Sequence, residues 1–152
     1  MDSHVKEIRL RVLNAMPDAA FNPPATQAQL DIAQESIGLQ FPRWLCDLYQ
    51  ATNGFTGPTG VSYLYPIDGQ NGLVSVTSFV RSEWNLPWLN NCIVFSDNGL
   101  GGSGTVHWAV LNGQLIEWCY GDGHEYQQLD IDFIAVLRRT QATWNSLNEG
   151  DV

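Results

Sequence analysis

The chain has 152 residues, with seven Lys and Arg against 16 Asp and Glu, for a formal net charge of −9. A field of that sign repels nucleic acid and anionic lipid and favours basic partners, and no apolar run approaches the 18 or so residues of a membrane span. The three cysteines (Cys46, Cys92 and Cys119) are odd in number, unclustered and set in apolar runs. They read as buried free thiols of a reducing, cytoplasmic compartment, and the first residues lack a signal-peptide pattern.

Taken in order, Ser3 to Met16 reads as a helix, because Val5, Ile8, Val12 and Met16 fall on one stripe and Pro17 stops it. The segment to Ala25 contains Pro23-Pro24 and reads as a linker. Thr26 and Gln29 form a capping box that opens a second helix. That helix turns Leu30, Ala33 and Ile37 inward and ends at Gly38. Pro42 sits just inside a third helix with Phe41, Leu45, Leu48 and Tyr49 as its apolar stripe, terminated by Asn53-Gly54.

Gly57 to Gly60 is a loop, and Val61 to Ile67 a strand with Pro66 marking an edge or an end. Leu73 to Trp84 is ambiguous by composition, and the spacing of Val76, Phe79 and Val80 favours a short helix. The stretch from Cys92 to Tyr120 then holds three strands, at 92–96, 104–111 and 114–120. Asn112-Gly113 between the last two suits a type I′ turn, since both residues tolerate positive φ. The turn sets the pairs Leu111–Gln114, Val110–Leu115, Ala109–Ile116, Trp108–Glu117, His107–Trp118 and Val106–Cys119. Both resulting faces are largely apolar, so the hairpin is expected at the centre of a sheet covered on two sides. Asp130 to Leu147 closes the chain as a helix with Phe133, Val136, Leu137, Thr140 and Trp144 inward. The expected fold is α+β: a single domain over 1–152, with an antiparallel sheet and central hairpin packed against several helices. Residues 1–25 form an N-terminal helix and linker.

Candidate chemistry is sparse. Gly99 to Gly104 matches G-x-G-x-x-G, but a strand follows where a dinucleotide site needs a helix N-terminus. His107, Cys119 and His124 fit no zinc spacing, and the register puts His107 and Cys119 on opposite faces. Glu117, Asp122 and Glu125 could supply an acid–base pair for a hydrolase, yet carboxylates in a turn region are more often solvated. No catalytic residue, metal or cofactor is assigned. Between Ser82 and Leu137 there is no Lys or Arg, whereas Glu83, Asp97, Glu117, Asp122, Glu125, Asp130 and Asp132 all fall there. Six tryptophans are many for this length, and Trp44, Trp84, Trp88 and Trp118 are flanked by polar or turn residues. Exposed aromatics beside acids are what a protein-binding surface uses. The expected partner-binding residues are Asp97, Glu117, Trp118, Tyr120, Asp122 and Glu125.

The order of these features resembles the SUKH superfamily, which includes the SMI/KNR cell-wall regulators and many bacterial immunity proteins. The resemblance runs from about Pro24 to Trp144. Gly38-Leu-Gln-Phe-Pro42, then Leu45, Leu48, Tyr49 and Asn53-Gly54, resemble its first block. Ile93-Val-Phe-Ser-Asp-Asn-Gly99, Trp108 and Glu117-Trp118 resemble its second block and the hairpin after it. Phe41 stands where Leu is usual, Ser96 where Gly is usual, and Ser103 where an acid is common. The resemblance implies a non-enzymatic protein that binds a partner, in bacteria commonly a toxin that it neutralises. A basic toxin domain, for example a nuclease, fits the acidic bias, with the protein itself a monomer or weak homodimer. The alternatives are a regulatory or scaffold protein of the same fold, linked to cell wall or secretion, and the small hydrolase above.

Overall fold

The computed structural model describes residues 3–57, 62–99, 105–119 and 125–149. Asn112 and Gly113 have φ of 52° and 80°, the pair of positive values that a type I′ turn requires. On either side of them, β5 (Val106–Leu111) and β6 (Gln114–Cys119) pair in the register that the turn predicts, from Leu111↔Gln114 to Val106↔Cys119. A strand, not a helix, therefore follows the glycine-rich loop.

Around the hairpin the described residues build two antiparallel sheets. The first has order β1-β2-β3, from Ala20–Phe21, Phe55–Thr56 and Ser62–Leu64; the second has order β4-β5-β6-β7, with β4 at Cys92–Asp97 and β7 at Gln127–Gln128. The fold is α+β, and the described residues form five helices: α1 (Ser3–Ala15), α2 (Gln27–Ile37), α3 (Arg43–Ala51), α4 (Leu73–Glu83) and α5 (Phe133–Glu149). A 3₁₀ turn, Pro87–Asn91, leads into β4. Among the described residues no helix is long and apolar enough to cross a membrane.

The two sheets meet along β4. Tyr65 donates its N–H to Phe95 O at 2.9 Å, and the Ser96 hydroxyl donates to Tyr63 O. On the same outer edge the Thr77 hydroxyl of α4 accepts from Val94 N at 3.0 Å and donates to Val94 O at 3.3 Å. An edge strand with unmet main-chain groups would invite another chain, and here one threonine and one tyrosine close it. Arg81 ties the corner together. It donates to Ile37 O at 2.8 Å and Cys92 O at 2.9 Å, and its burial lowers the guanidinium's pKa.

The hairpin's two faces are both covered, as its apolar pattern demands. Phe133 of α5 lies under Phe95 and Trp108, with ring centroids 4.9 and 6.4 Å away. Trp84, which caps α4, covers His107 and Trp118 on the other face. Val136, Leu137, Leu45 and Ile93 lie in the same continuous core.

The α2 capping box is formed in both directions, Gln29 N to Thr26 Oγ1 at 3.1 Å and Thr26 N to Gln29 Oε1 at 2.9 Å. Gly38 ends that helix with φ of 78°. Gly54 does more than follow a helix: with φ of 97°, a Cβ there would lie 2.8 Å from both Leu64 O and Pro66 N. Asn53 beside it accepts Ile67 N–H at 2.8 Å through its side chain.

Several expectations need correction. Pro42 is the residue before α3, in extended conformation (ψ 154°), so Phe41 lies outside the helix although its side chain is buried. The residue before a proline is steered out of the helical region, which explains the shift. The 17–25 segment is no free linker. It contains β1, and Ala25 N–H donates to Tyr49 O at 2.9 Å while Asn53 N–H donates to Pro23 O at 2.8 Å. The strand expected over 61–67 is shorter, Ser62–Leu64. The last helix starts at Phe133, because Asp132 Oδ1 accepts from Ala135 N at 2.9 Å and caps it there. None of the three cysteines is in a disulfide, but only Cys92 is fully buried; Cys46 and Cys119 are half-buried. Burial pushes the Cys92 thiol up to about 12, against the pull of Arg81. The loop expected at 57–60 falls, from residue 58 on, outside the described residues, as does the glycine-rich loop over 100–104.

Candidate functional site: an aromatic cluster on one face of the sheet

The residues expected to bind a partner are dispersed. Asp97 ends β4, where the Tyr65 hydroxyl donates to its Oδ2 and Gly99 N to its Oδ1 at 2.6 Å. Its carboxylate closes a turn and, after burial itself, holds the Tyr65 hydroxyl far above its usual range. Glu117 lies within β6, opposite Trp108 as the register predicts. One of its oxygens, Oε2, accepts from Trp108 Nε1 at 2.9 Å and from Arg139 Nη2 at 2.6 Å. Both carboxylates have protein partners, so neither is a bare charge awaiting a ligand. Trp118 is 3% exposed and belongs to the core. Glu125 is exposed. Tyr120 and Asp122 lie outside the described residues, as does His124.

The structure assembles something else around Trp118. His107, its neighbour in the register, stacks on it with centroids 5.0 Å apart and planes 22° apart. Trp84 meets both rings edge-on, at 5.1 Å from His107 and 6.2 Å from Trp118. Trp88, from the 3₁₀ turn, stands edge-on to Trp118 at 5.3 Å and tilts against Tyr126 at 4.7 Å. Five rings from three parts of the chain thus pack in the edge-to-face and offset arrangements that aromatic quadrupoles favour. The inner pair is buried, Trp84 and Trp88 are half-buried, and Tyr126 is 44% exposed.

Local geometry explains how Trp84 and Trp88 come together. Asn85 takes φ of 50°, a left-handed conformation that asparagine tolerates better than most residues. The reversal it makes ends α4 and turns the chain toward Pro87, whose fixed φ suits the start of the 3₁₀ turn. The sequence signal was present in Trp84-Asn-Leu-Pro-Trp88, aromatics flanked by turn residues. Trp84, Trp88 and Tyr126 are the residues that the sequence reading left out of the site.

The cluster is packed but not polar-satisfied. His107 Nδ1 and Trp118 Nε1 are buried without a hydrogen-bond partner among the described residues. Burial lowers the His107 pKa, opposed by the nearby Asp97 carboxylate. Glu83 and Glu125, both exposed, are the acids adjacent in sequence to Trp84 and Tyr126. Nothing in this set resembles a nucleophile with its base. Among the described residues, no group of three His, Cys, Asp or Glu side chains could hold a metal ion. A half-exposed aromatic layer over a buried core, with exposed acids next to it in the sequence, is suited to contact a protein surface.

Compared with known proteins, the chain matches the sequence model of the SMI1 / KNR4 family (SUKH-1) over residues 24–139. No curated protein matches it. The matched residues include α2 to β7, both halves of the aromatic cluster and the Asn53-Gly54 junction. Helix α1 lies before them.

Proposed function

Because the chain belongs to the SMI1/KNR4 family (SUKH-1), we propose that it is a single-domain, non-enzymatic, cytoplasmic binding module: an immunity protein that neutralises a cognate bacterial toxin by direct contact. One observation carries the reading beyond the family. Trp84, Trp88 and Tyr126 form a half-exposed layer over the buried Trp118, with Glu83 and Glu125 beside it in a stretch free of Lys and Arg. Aromatic anchors supply contact area, and rim carboxylates attract a basic partner, as nuclease toxins commonly are. The acidic partner surface expected from sequence shifts accordingly, from Asp97 and Glu117 to the glutamates around the tryptophans. Tyr120 and Asp122, which lie between Trp118 and Tyr126 in the sequence, stay in the proposal.

The test is growth rescue. Co-expressed with the toxin domain encoded beside it, the protein should restore growth to a sensitive host, and Trp88→Ala should abolish the rescue. With the purified pair, Glu83→Lys with Glu125→Lys should slow association about tenfold at low salt and flatten its salt dependence. Trp88→Ala should act on dissociation instead. If wild type gives no rescue and binds a resident cell-wall or secretion protein, the regulatory reading of the same family replaces this one.

A further inference from the structure

Away from the aromatic cluster, a groove of about 680 Å³ opens between α1, α3, the Asn112-Gly113 turn and the connection from β7 to α5. That size falls within the roughly 300–1,000 Å³ of sites that hold ligands. Ile8, Trp44, Leu115 and Phe133 give it apolar walls. Gly113 borders it, and a Cβ there would meet nothing within 4 Å, so the turn leaves the space open. Its α1 wall, with Ile8 and Arg11, comes from a helix that precedes the family-matched residues.

The rim is acidic. Asp47, Asp130 and Asp132 line the groove beside Arg11 and His4. Arg11 holds Asp132 at 3.3 Å, and His4 and Arg43 hold Asp47 at 3.3 and 3.1 Å. Asp130 is exposed and forms no ion pair among the described residues; Ile131 beside it is 40% exposed. The Arg11–Asp132 pair is exposed on both sides, and such pairs are weak, so an arriving cation can exchange into it.

We propose that this groove binds a short segment of a partner protein that offers a leucine-sized apolar side chain beside a lysine or arginine. The apolar walls reward burial of an uncharged side chain. Three carboxylates against the two guanidiniums of Arg11 and Arg43 leave the rim net negative, which favours a cation next to that side chain and opposes an anionic one. The groove shares no residue with the aromatic cluster, so the inference stands apart from the toxin reading, and either can fail alone.

The probes are three capped nonapeptides: alternating leucine and lysine, the same with serine for leucine, and the same with glutamate for lysine. Each is titrated into the ¹⁵N-labelled full chain. The leucine–lysine peptide should shift the amides of Gly113, Gln114, Leu129 and Ile131 saturably, and both controls should bind at least about tenfold more weakly. Asp130→Lys and Ile131→Ser, both at exposed positions, should each weaken the leucine–lysine peptide about tenfold while the remaining amides keep their positions. The proposal is overturned if the leucine–lysine peptide moves none of these amides, if its shifts centre on Trp84, Trp88 and Tyr126, or if the serine–lysine peptide binds equally well. The last result would mean that charge alone attracts it.

Discussion

Trp108 and Trp118 lie on adjacent strands of one hairpin, on opposite faces, and are both buried. Their surroundings differ in kind. The Trp108 indole donates to Glu117, which Arg139 of α5 holds in turn, so that face is closed by a charge-assisted hydrogen-bond network. Trp118 is surrounded by rings, and its Nε1 has no partner among the described residues. Directional bonds specify one arrangement of α5 on the sheet. Ring contacts are set by packing and quadrupole geometry instead. The α5 face is the structural side of the sheet, held by these bonds, and the face under Trp84 and Trp88 is held by ring packing.

The largest expected effect tests the structural side. Phe133→Ala removes a ring that is 4% exposed and packed on Phe95 and Trp108, and should cost about 3–5 kcal/mol in chemical denaturation. A loss below about 1 kcal/mol would mean that α5 does not anchor this face. A sharper comparison uses the two tryptophans themselves. Trp108→Phe leaves the Glu117 carboxylate without its indole donor and should cost about 1–3 kcal/mol beyond the change in ring size. Trp118→Phe makes the same change in ring size where no hydrogen bond is lost, and should cost less. Equal losses would remove the distinction between the faces.

The smallest effect concerns pH. His107 is held below its ordinary range by burial between Trp84 and Trp118, with Asp97 opposing. The unfolded chain therefore takes up this proton at higher pH than the folded protein. The resulting stability is complete above about pH 6.5 and is lost as pH falls from there toward the folded-state value. Denaturation midpoints measured on both sides of pH 6.5 should fall on acidification, and fall less for His107→Phe. If the variant and wild type lose stability alike, the buried imidazole is not the group responsible.

How far these features could be read from sequence depends on their range along the chain. Asn112-Gly113 needs positive φ at two adjacent residues, and strand pairing counted outward from that turn reproduces six residue pairs. Thr26 and Gln29 meet across three positions. Such contacts follow from backbone geometry that neighbouring residues impose on one another. The bonding partners of Glu117 were not legible for the opposite reason. Its partner Arg139 is 22 residues away, on a helix whose choice of face no local rule decides. Tyr126, on the connection after β6, became part of a site only because Trp88 lies against it.

By itself, then, the sequence determined the hairpin and its register, the helix caps, the α+β class and the family resemblance, since periodicity and turn chemistry are short-range. Tertiary structure alone decided which acids are engaged, which tryptophans reach the surface, and where α1 leaves a groove. Because both faces of the hairpin are apolar, the pattern demands two covers without saying which helix supplies each. The packing of α4 and α5 on those faces assigns every polar neighbour its partner or leaves it without one.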